Sequence, residues 1–167
     1  HPYSWDNSKE IYWLDKKKFD IYWQEKVIPQ MKELLSNYGE ISLIWFDMWL
    51  NHNETIVTKE QLFQLKNLIR QMQPNCLINS RLGLSIEEDK DVDFRTLGDN
   101  QLGEFKYEYP WQTPATVAHS WGYNVNENEW KSTTSILRSL IGNVSLNGNL
   151  MLNIGPTSNG SVPYEIE

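Results

Sequence analysis

The sequence predicts an α/β fold in which parallel strands alternate with helices. Three stretches show helical periodicity, at about 16–36, 59–73 and 132–143. A short, apolar, strand-like segment follows each of them, at 41–46, 76–79 and 150–154. Polar residues lie at or directly after the end of each of these segments, where a buried core would not favour them. Strand and helix therefore recur in the order typical of βα units.

The first helix is predicted over about residues 16–36. Its apolar side chains recur at intervals of three and four and form one stripe: Phe19, Tyr22, Trp23, Val27, Ile28, Met31, Leu34 and Leu35. Gly39 is a plausible helix end, since glycine readily adopts the conformation that closes a helix. Segment 41–46 is too apolar to alternate, which indicates a strand buried on both faces of a parallel sheet.

The second and third units repeat this arrangement. Leucine and isoleucine recur with helical spacing in 59–73, and Pro74 closes that helix before strand 76–79. Between this strand and the third helix, residues 81–130 show little periodicity and many Gly, Asp, Asn, Trp and Tyr residues. Such a composition is typical of functional loops on a rigid scaffold.

Composition excludes several classes of function. The chain has 15 Lys and Arg against 22 Asp and Glu, a net charge of −7, which argues against a nucleic-acid partner. No apolar run approaches the roughly 18 residues that a membrane span needs. Cys76 is the single cysteine, and the three histidines show no ligand spacing, so we predict no disulfide, no metal and no cofactor.

Polar residues at the strand ends suggest where chemistry takes place. Asp47, Asn79, Arg81 and Asn153 all lie at or just after the ends of strand-like segments. In a (β/α)8 barrel the active site lies at that end of the strands, but a complete barrel needs about 250 residues. The 167 residues supply about half of one. We therefore predict a single incomplete domain over residues 1–167, a half (β/α)8 TIM-like barrel.

Five segments in order resemble the C-terminal half of a known family. They are Val27–Asp47, Ile78–Gly83, Trp111–Thr116, Ser120–Tyr123 and Gly148–Pro156. Together they resemble the catalytic domain of the family 29 glycoside hydrolases, the α-L-fucosidases. The resemblance implies a barrel fold, hydrolysis of α-L-fucosides or fucosylated glycans, and no cofactor.

The resemblance implies a retaining mechanism, in which one carboxylate attacks the anomeric carbon while an acid protonates the leaving oxygen. Asp47 matches the nucleophile of the family. A carboxylate that closes a strand beside Trp45, Phe46, Met48 and Trp49 would also be fixed and partly desolvated. The alternative is an aspartate that caps the following turn.

The acid/base residue is less clear. Gln112 occupies the position where many relatives have glutamate, and a carboxamide cannot donate a proton as a carboxylic acid does. Three interpretations stay open: an engineered carboxylate-to-amide change, a naturally impaired chain, or another acid in the same loop region. Asp99, Glu104 and Glu108 are the candidates for that acid, and loop placement favours Asp99 and Glu104.

Three further side chains are candidates for substrate binding. Arg81 matches an arginine near the sugar pocket of relatives and could donate to hydroxyl groups or orient a carboxylate. Its alternative role is to anchor a loop. Trp45 and Trp111 could line the apolar face of fucose, although core packing is an equal alternative for either. We interpret Trp121–Tyr123 as architecture.

Two classes of function follow. The chain is a hydrolase, active or impaired at Gln112, or it is a non-catalytic fragment that binds carbohydrate or assists assembly. Half a barrel would expose sheet edges and an apolar interior. We therefore expect a homo-oligomer or a companion polypeptide that carries the N-terminal half of the barrel, and neither a nucleic acid nor a membrane as partner. Secreted, periplasmic and lysosomal locations all stay open.

Overall fold

The computed structural model describes residues 16–47, 57–87 and 92–167. The chain forms two compact units, His1–Asp93 and Phe94–Glu167. Each unit contains parallel strands accompanied by at least one helix, which confirms the α/β class. A single incomplete barrel domain stays a prediction. Within the described ranges, no helix is both long and apolar enough to span a membrane.

The first unit begins with a helical segment that is regular except in its middle. It consists of α1 (Lys16–Tyr22), a wide π turn (Trp23–Val27) and α2 (Ile28–Asn37). The N–H of Ile28 donates to the carbonyl of Trp23, five residues back. Pro29 follows and has no N–H to donate four residues back, so regular α geometry is already interrupted there. The predicted helix is confirmed with this one departure.

The end of α2 is closed by Gly39 and by a side chain from the next helix. Gly39 has φ +79°, the left-handed conformation expected of it. Gln73 donates from Nε2 to the carbonyls of Leu35 and Gly39, and its Oε1 accepts from the N–H of Ile41. One amide therefore satisfies the end of α2 and fixes the start of the strand that follows.

Two short parallel strands, β1 (Leu43–Ile44) and β2 (Leu77–Ile78), form the sheet of this unit. Between them lies α3 (Lys59–Met72), which is capped by Thr58. The Thr58 hydroxyl accepts from the N–H of Gln61, and Gln61 Oε1 accepts from the N–H of Thr58. The buried core is apolar and comes from all these elements: Trp23, Ile28, Leu35, Leu62, Leu65, Ile69, Cys76, Ile78, Leu82, Leu84 and Val92.

The prediction that the first strand is buried on both faces is wrong. Leu43 and Leu77 pair in register and are 40% and 43% exposed, whereas Ile44 packs on the core and Ile78 is fully buried. Side chains alternate along a strand, so each leucine faces away from the core that holds Ile44 and Ile78. The helices therefore cover one face of this sheet.

The second unit has a three-stranded parallel sheet in the order β3, β4, β5. These strands are Arg95–Thr96, Trp111–Thr116 and Gly148–Asn153. Helix α4 (Thr133–Ser145) lies between β4 and β5 in the chain and begins at Ser132, whose hydroxyl accepts from the N–H of Ser135. The sequence predicts this helix and β5 within two residues.

Two strands lie where the sequence predicts a long loop, so that prediction is wrong for β3 and β4. Strand β4 is nearly buried throughout and lacks alternation, and Pro114 in its middle is typical of a strand breaker. The proline is tolerated because β3 pairs only with Trp111 and Gln112. Beyond that point, a loop lies beside β4 in place of β3, and its Asn100 N–H donates to the carbonyl of Pro114. The N–H that proline lacks is therefore not needed for pairing with β3.

Helix α4 packs on its sheet through a polar residue. Asn143 is almost completely buried and donates to Thr113 Oγ1 (2.8 Å) and the carbonyl of Asn149 (3.1 Å), while its Oδ1 accepts from the N–H of Gly103. Three of the apolar residues that predict this helix are instead exposed, to 50% for Leu137, 40% for Leu140 and 66% for Ile141.

Gly103 and Gly148 pack directly against the Trp111 indole, so replacing Gly148 by alanine should destabilise the fold. A Cβ at Gly148 or at Gly103 would lie 2.2 Å from atoms of the Trp111 indole. We expect Gly148→Ala to lower the free energy of unfolding by about 1–3 kcal/mol or more, since the ring is buried and cannot move aside. Urea unfolding monitored by tryptophan fluorescence measures this loss.

The matched control is Gly142→Ala in α4, where a Cβ would meet no atom within 4 Å. That change should stabilise the protein by about 0.5–1 kcal/mol, because alanine is the better helix former. Equal effects of the two substitutions would contradict the role given to Gly148.

Candidate active site

The carboxyl ends of β1 and β2 bring two of the predicted site residues together. Asp47 lies three residues after β1, and Arg81 lies in a single helical turn, Ser80–Leu82, that follows β2. Arg81 Nη1 donates to Asp47 Oδ1 at 2.8 Å. Asp47 therefore has the partner expected of a functional carboxylate. The turn that Asp47 would cap under the alternative interpretation begins at residue 48 and lies outside the described residues.

Trp45 completes this group on the same strand end. The guanidinium carbon of Arg81 lies 5.1 Å from the centre of the Trp45 ring, a cation–π geometry. The Arg81 side chain is 18% exposed, whereas that of Asp47 is 59% exposed. The expected partial desolvation of Asp47 is thus not seen. Met48 and Trp49, which were expected beside the carboxylate, lie outside the described residues.

Asn79 supports this strand end from inside the core, a role that the sequence reasoning missed. It is completely buried, and its Oδ1 accepts from the N–H of Phe46 at 2.7 Å. Its Nδ2 donates to the carbonyl of the same residue at 2.9 Å. The signal in the sequence was a polar residue directly after a buried strand position.

A cavity of about 420 Å³ lies at the other end of these strands. Its walls include Ile41 and Cys76, which precede β1 and β2, together with Leu35, Met72 and Gln73. Burial raises the pKa of the Cys76 thiol, so thiolate chemistry is disfavoured there. Asp47 and Arg81 follow β1 and β2, so they lie at the opposite ends of these strands and do not line this cavity. Among the described residues, no cluster of His, Cys, Asp or Glu could hold a metal ion.

In the second unit, the strand register separates the acid/base candidates. Gln112 is the second residue of β4 and pairs with Asn149 and with Thr96, the last residue of β3, so it lies near the amino ends of β4 and β5. Asp99 lies three residues after β3, at the carboxyl end, the same offset that Asp47 has from β1. Gln112 and Asp99 therefore lie at different levels along β4: Gln112 is level with Thr96, whereas the residue after Asp99 bonds to Pro114.

The loop that carries Asp99 is held in place by its neighbour. Asn100 has φ 57°, and its Oδ1 accepts from the N–H of Thr116 (3.2 Å) and from Lys131 Nζ (2.6 Å). Its own N–H donates to the carbonyl of Pro114. Desolvation lowers the pKa of Lys131. The Asp99 loop is therefore attached to the end of β4 at several points.

The other candidates occupy different places. Glu104 and Glu108 are exposed, in the segment that returns to the amino end of β4. Trp111 is completely buried, covered by Gly103 and Gly148, and its indole N–H donates to the carbonyl of Leu146. No face of Trp111 is open to a sugar, which agrees with core packing, the alternative that the sequence left open.

One carboxylate organises the loop after β4. Glu127 accepts from the N–H of Ser120 at 2.9 Å and from those of Asn128 and Glu129 at 3.1 Å each. These bonds, that of Ser120 foremost, lower the pKa of Glu127. Asn153, at the end of β5, donates to the carbonyl of Trp121 in the same loop. The loop is therefore anchored at both places, a feature that the sequence reasoning missed.

This arrangement predicts a pH-dependent effect of Glu127→Gln. The folded pKa of Glu127 lies below its ordinary value of 4.5, so its contribution to stability is present above that value and is lost as pH falls through the folded pKa. We expect Glu127→Gln to lower the Tm at pH 7, and the difference from the unaltered chain to shrink steadily below pH of about 4.5.

Differential scanning calorimetry across this pH range measures the effect. Glu129→Gln serves as the control, since it removes the same charge two residues away while leaving the three N–H groups bonded to Glu127. A constant difference at every pH, or the same profile for both variants, would contradict the role of Glu127.

The whole chain is similar to known proteins. The sequence model of the family described as Alpha-L-fucosidase matches residues 1–167. Alpha-L-fucosidase of Dictyostelium discoideum is 27% identical over 147 residues, covering 86% of this chain and 31% of its own length. Tissue alpha-L-fucosidase of Mus musculus is 24% identical over 158 residues, covering 91% of this chain and 34% of its own.

Solved structures show the same likeness. Alpha-L-fucosidase isoenzyme 1 from Paenibacillus thiaminolyticus matches with a TM-score of 0.78 and 33% identity, over 89% of this chain and 37% of that one. A Lactobacillus casei alpha-L-fucosidase in complex with its alpha-L-fucose product matches with a TM-score of 0.72 and 35% identity, over 87% and 42%. The chain spans about a third of the length of its curated relatives.

Proposed function

The chain belongs to the α-L-fucosidase family, and on this basis we propose that it is part of a retaining α-L-fucosidase that releases terminal α-L-fucose from glycans or fucosides. The observation that carries the proposal is the Asp47–Arg81 pair at the carboxyl ends of two neighbouring parallel strands. In α/β barrels, that end of the strands holds the catalytic groups.

The proposed reaction has two steps. In the first, an Asp47 carboxylate oxygen bonds to C1 of fucose while the bond from C1 to the aglycone oxygen breaks, and that oxygen takes a proton from the acid. In the second, water attacks C1, gives a proton back to the same residue and releases Asp47. Arg81 holds the carboxylate in place through its hydrogen bond to Oδ1.

We assign the acid/base role to Asp99 in preference to Gln112. Asp99 has a titratable carboxyl group beyond the carboxyl end of β3, whereas Gln112 has none and lies near the amino end of β4. Glu104 lies in the segment leading back toward the amino end and is the second choice. Under this assignment Gln112 is neither an engineered nor a natural impairment, because the proton donor is elsewhere.

We further propose that the chain supplies half of a (β/α)8-like barrel and pairs with a companion polypeptide or with a copy of itself. The exposed leucines of the β1–β2 sheet support this. A sheet of two strands is also marginal by itself. Size-exclusion chromatography with light scattering tests the pairing, and a well-folded, monodisperse monomer of 19.7 kDa would contradict it.

Proton NMR of the first-formed sugar tests the function. The purified protein, with any companion that copurifies, is incubated with an aryl α-L-fucoside, and we expect α-L-fucose to appear before its β anomer. The β anomer appearing first would contradict retention. The non-catalytic alternative is favoured by the high exposure of Asp47. Binding of fucose by calorimetry without any release would support that alternative.

A further inference from the structure

We propose that Asn79 is a positioning residue for the nucleophile, acting through the backbone of Phe46. The inference rests on the proposed function of Asp47. Asn79 does not contact the Asp47 carboxylate through any of the bonds described above; it bonds to both backbone groups of the residue immediately before it.

The pairing of β1 with β2 ends two residues before Phe46. Strands β1 and β2 pair at Leu43–Leu77 and Ile44–Ile78, and no further pair follows. Beyond that point the Asn79 side chain replaces a strand partner, since it accepts from the N–H of Phe46 and donates to its carbonyl. The two bonds fix the orientation of the Phe46 peptide groups, and therefore the direction in which the chain presents Asp47.

Only a side-chain amide fits this position. The N–H of Phe46 requires an acceptor and its carbonyl requires a donor, and asparagine supplies both in one plane. A carboxylate would place a second acceptor against the carbonyl oxygen, and an apolar side chain would leave both backbone groups without these partners in a partly buried place. A residue that only filled this volume would not need both the amide oxygen and the amide nitrogen of Asn79.

Asn79 and Arg81 therefore act at two points of the same strand end. Asn79 holds the backbone of Phe46, and Arg81 holds the carboxylate of Asp47. If the two bonds from Asn79 to Phe46 are lost, the Asp47 carboxylate can still pair with Arg81, but its orientation is no longer fixed. Attack on C1 depends steeply on such alignment, whereas binding of the sugar does not.

The first test separates these two quantities. A 2-deoxy-2-fluoro-fucosyl fluoride labels the nucleophile of a retaining enzyme, and intact mass gives the rate constant of labelling and the dissociation constant of the reagent. For Asn79→Asp we expect the labelling rate constant to fall roughly 10- to 10²-fold with the dissociation constant unchanged. Asn143→Asp is the matched control, since Asn143 is equally buried and bonded but belongs to α4.

Acid pH provides a rescue that a general loss of stability would not show. Once protonated, the introduced carboxyl group again offers one donor and one acceptor to Phe46. The labelling deficit of Asn79→Asp, taken relative to the unaltered protein at each pH, should therefore narrow as pH falls. A deficit that is constant with pH, or equal deficits for the two variants, would overturn the proposal.

A second measurement needs neither a variant nor activity. Amide hydrogen exchange of the Phe46 N–H should be slow in the unaltered protein, although β1 ends at Ile44. Exchange as fast as that of exposed loop amides would overturn the proposal even if Asn79→Asp fails to fold. No labelling of the unaltered protein at Asp47 would instead overturn the proposed function, and Phe46 exchange would still decide whether Asn79 holds the backbone.

Discussion

Replacement of Asp47 by glycine is expected to reduce the release of fucose from an aryl fucoside by roughly 10³- to 10⁶-fold, as loss of a covalent nucleophile does. Azide, which can enter the space left by the side chain, should restore turnover and give a fucosyl azide of inverted configuration. Azide attacks C1 while the aryl oxide leaves, so no protein carboxylate is consumed. Steady-state rates with and without azide, and NMR of the product, measure both effects.

The control for this variant is a second aspartate–arginine pair in the same unit. Arg70 donates to Asp93 at 2.6 Å, and Asp93 also accepts from the N–H of Ile78. Asp93→Asn should lower the Tm while leaving turnover per folded molecule intact. Asp47 is 59% exposed, so its pair with Arg81 should contribute only about 0–1 kcal/mol to stability.

The two variants therefore dissociate activity from stability. Asp47→Gly should be folded and inactive, and Asp93→Asn should be less stable and active. Turnover by Asp47→Asn equal to that of the unaltered protein would refute nucleophilic catalysis by Asp47, and azide without effect on Asp47→Gly would count against a retaining mechanism.

Asp99→Asn is expected to reduce turnover by roughly 10²- to 10⁴-fold for substrates with poor leaving groups, since these need a proton on the departing oxygen. Fucosides of acidic phenols should lose far less in the first step, because their leaving groups depart as anions. A plot of the rate against the pKa of the leaving group should therefore become steeper in Asp99→Asn. Kinetics with a series of substituted aryl fucosides measure this slope.

Gln112→Glu provides the opposing test. With the proton donor at Asp99, this change at the amino end of β4 should leave turnover unchanged or lower it, because it introduces a charge into a partly buried place. A rise of several orders of magnitude would instead make Gln112 the acid/base position and refute the assignment to Asp99. Glu104→Gln, which changes an exposed carboxylate in the loop between them, should be silent.

Periodicity and capping residues in the sequence predict the helices well. The helix over 59–73 is found at Lys59–Met72, and Gly39 ends the first helix as expected. Strands β3 and β4 could not be predicted in the same way. A short parallel strand buried on both sides has no alternation, and Pro114 is compatible with β4 only because β3 ends before it, which no local pattern reveals.

The candidate site is predicted in part for similar reasons. Polar residues after apolar strands direct attention to Asp47 and Arg81, and the parallel register brings the two together. The sequence does not predict where Gln112 and Asp99 lie along the sheet, because their positions relative to the strand ends depend on the pairing of β3 with β4. The burial of Trp111 depends on Gly103 and Gly148, each distant from it in the chain or on another strand.

The wide turn at Trp23–Val27 has a consequence for how the chain tolerates changes of length. A turn closed from Ile28 to Trp23 holds one residue more than an α turn. Removing one residue there can convert it to ordinary helix, while the same deletion elsewhere in α2 would rotate every later side chain by about 100°. Trp23, bonded to Gln64 of α3, fixes one end of this segment. Homologues that differ by a single residue in this helix should therefore carry the difference at this turn.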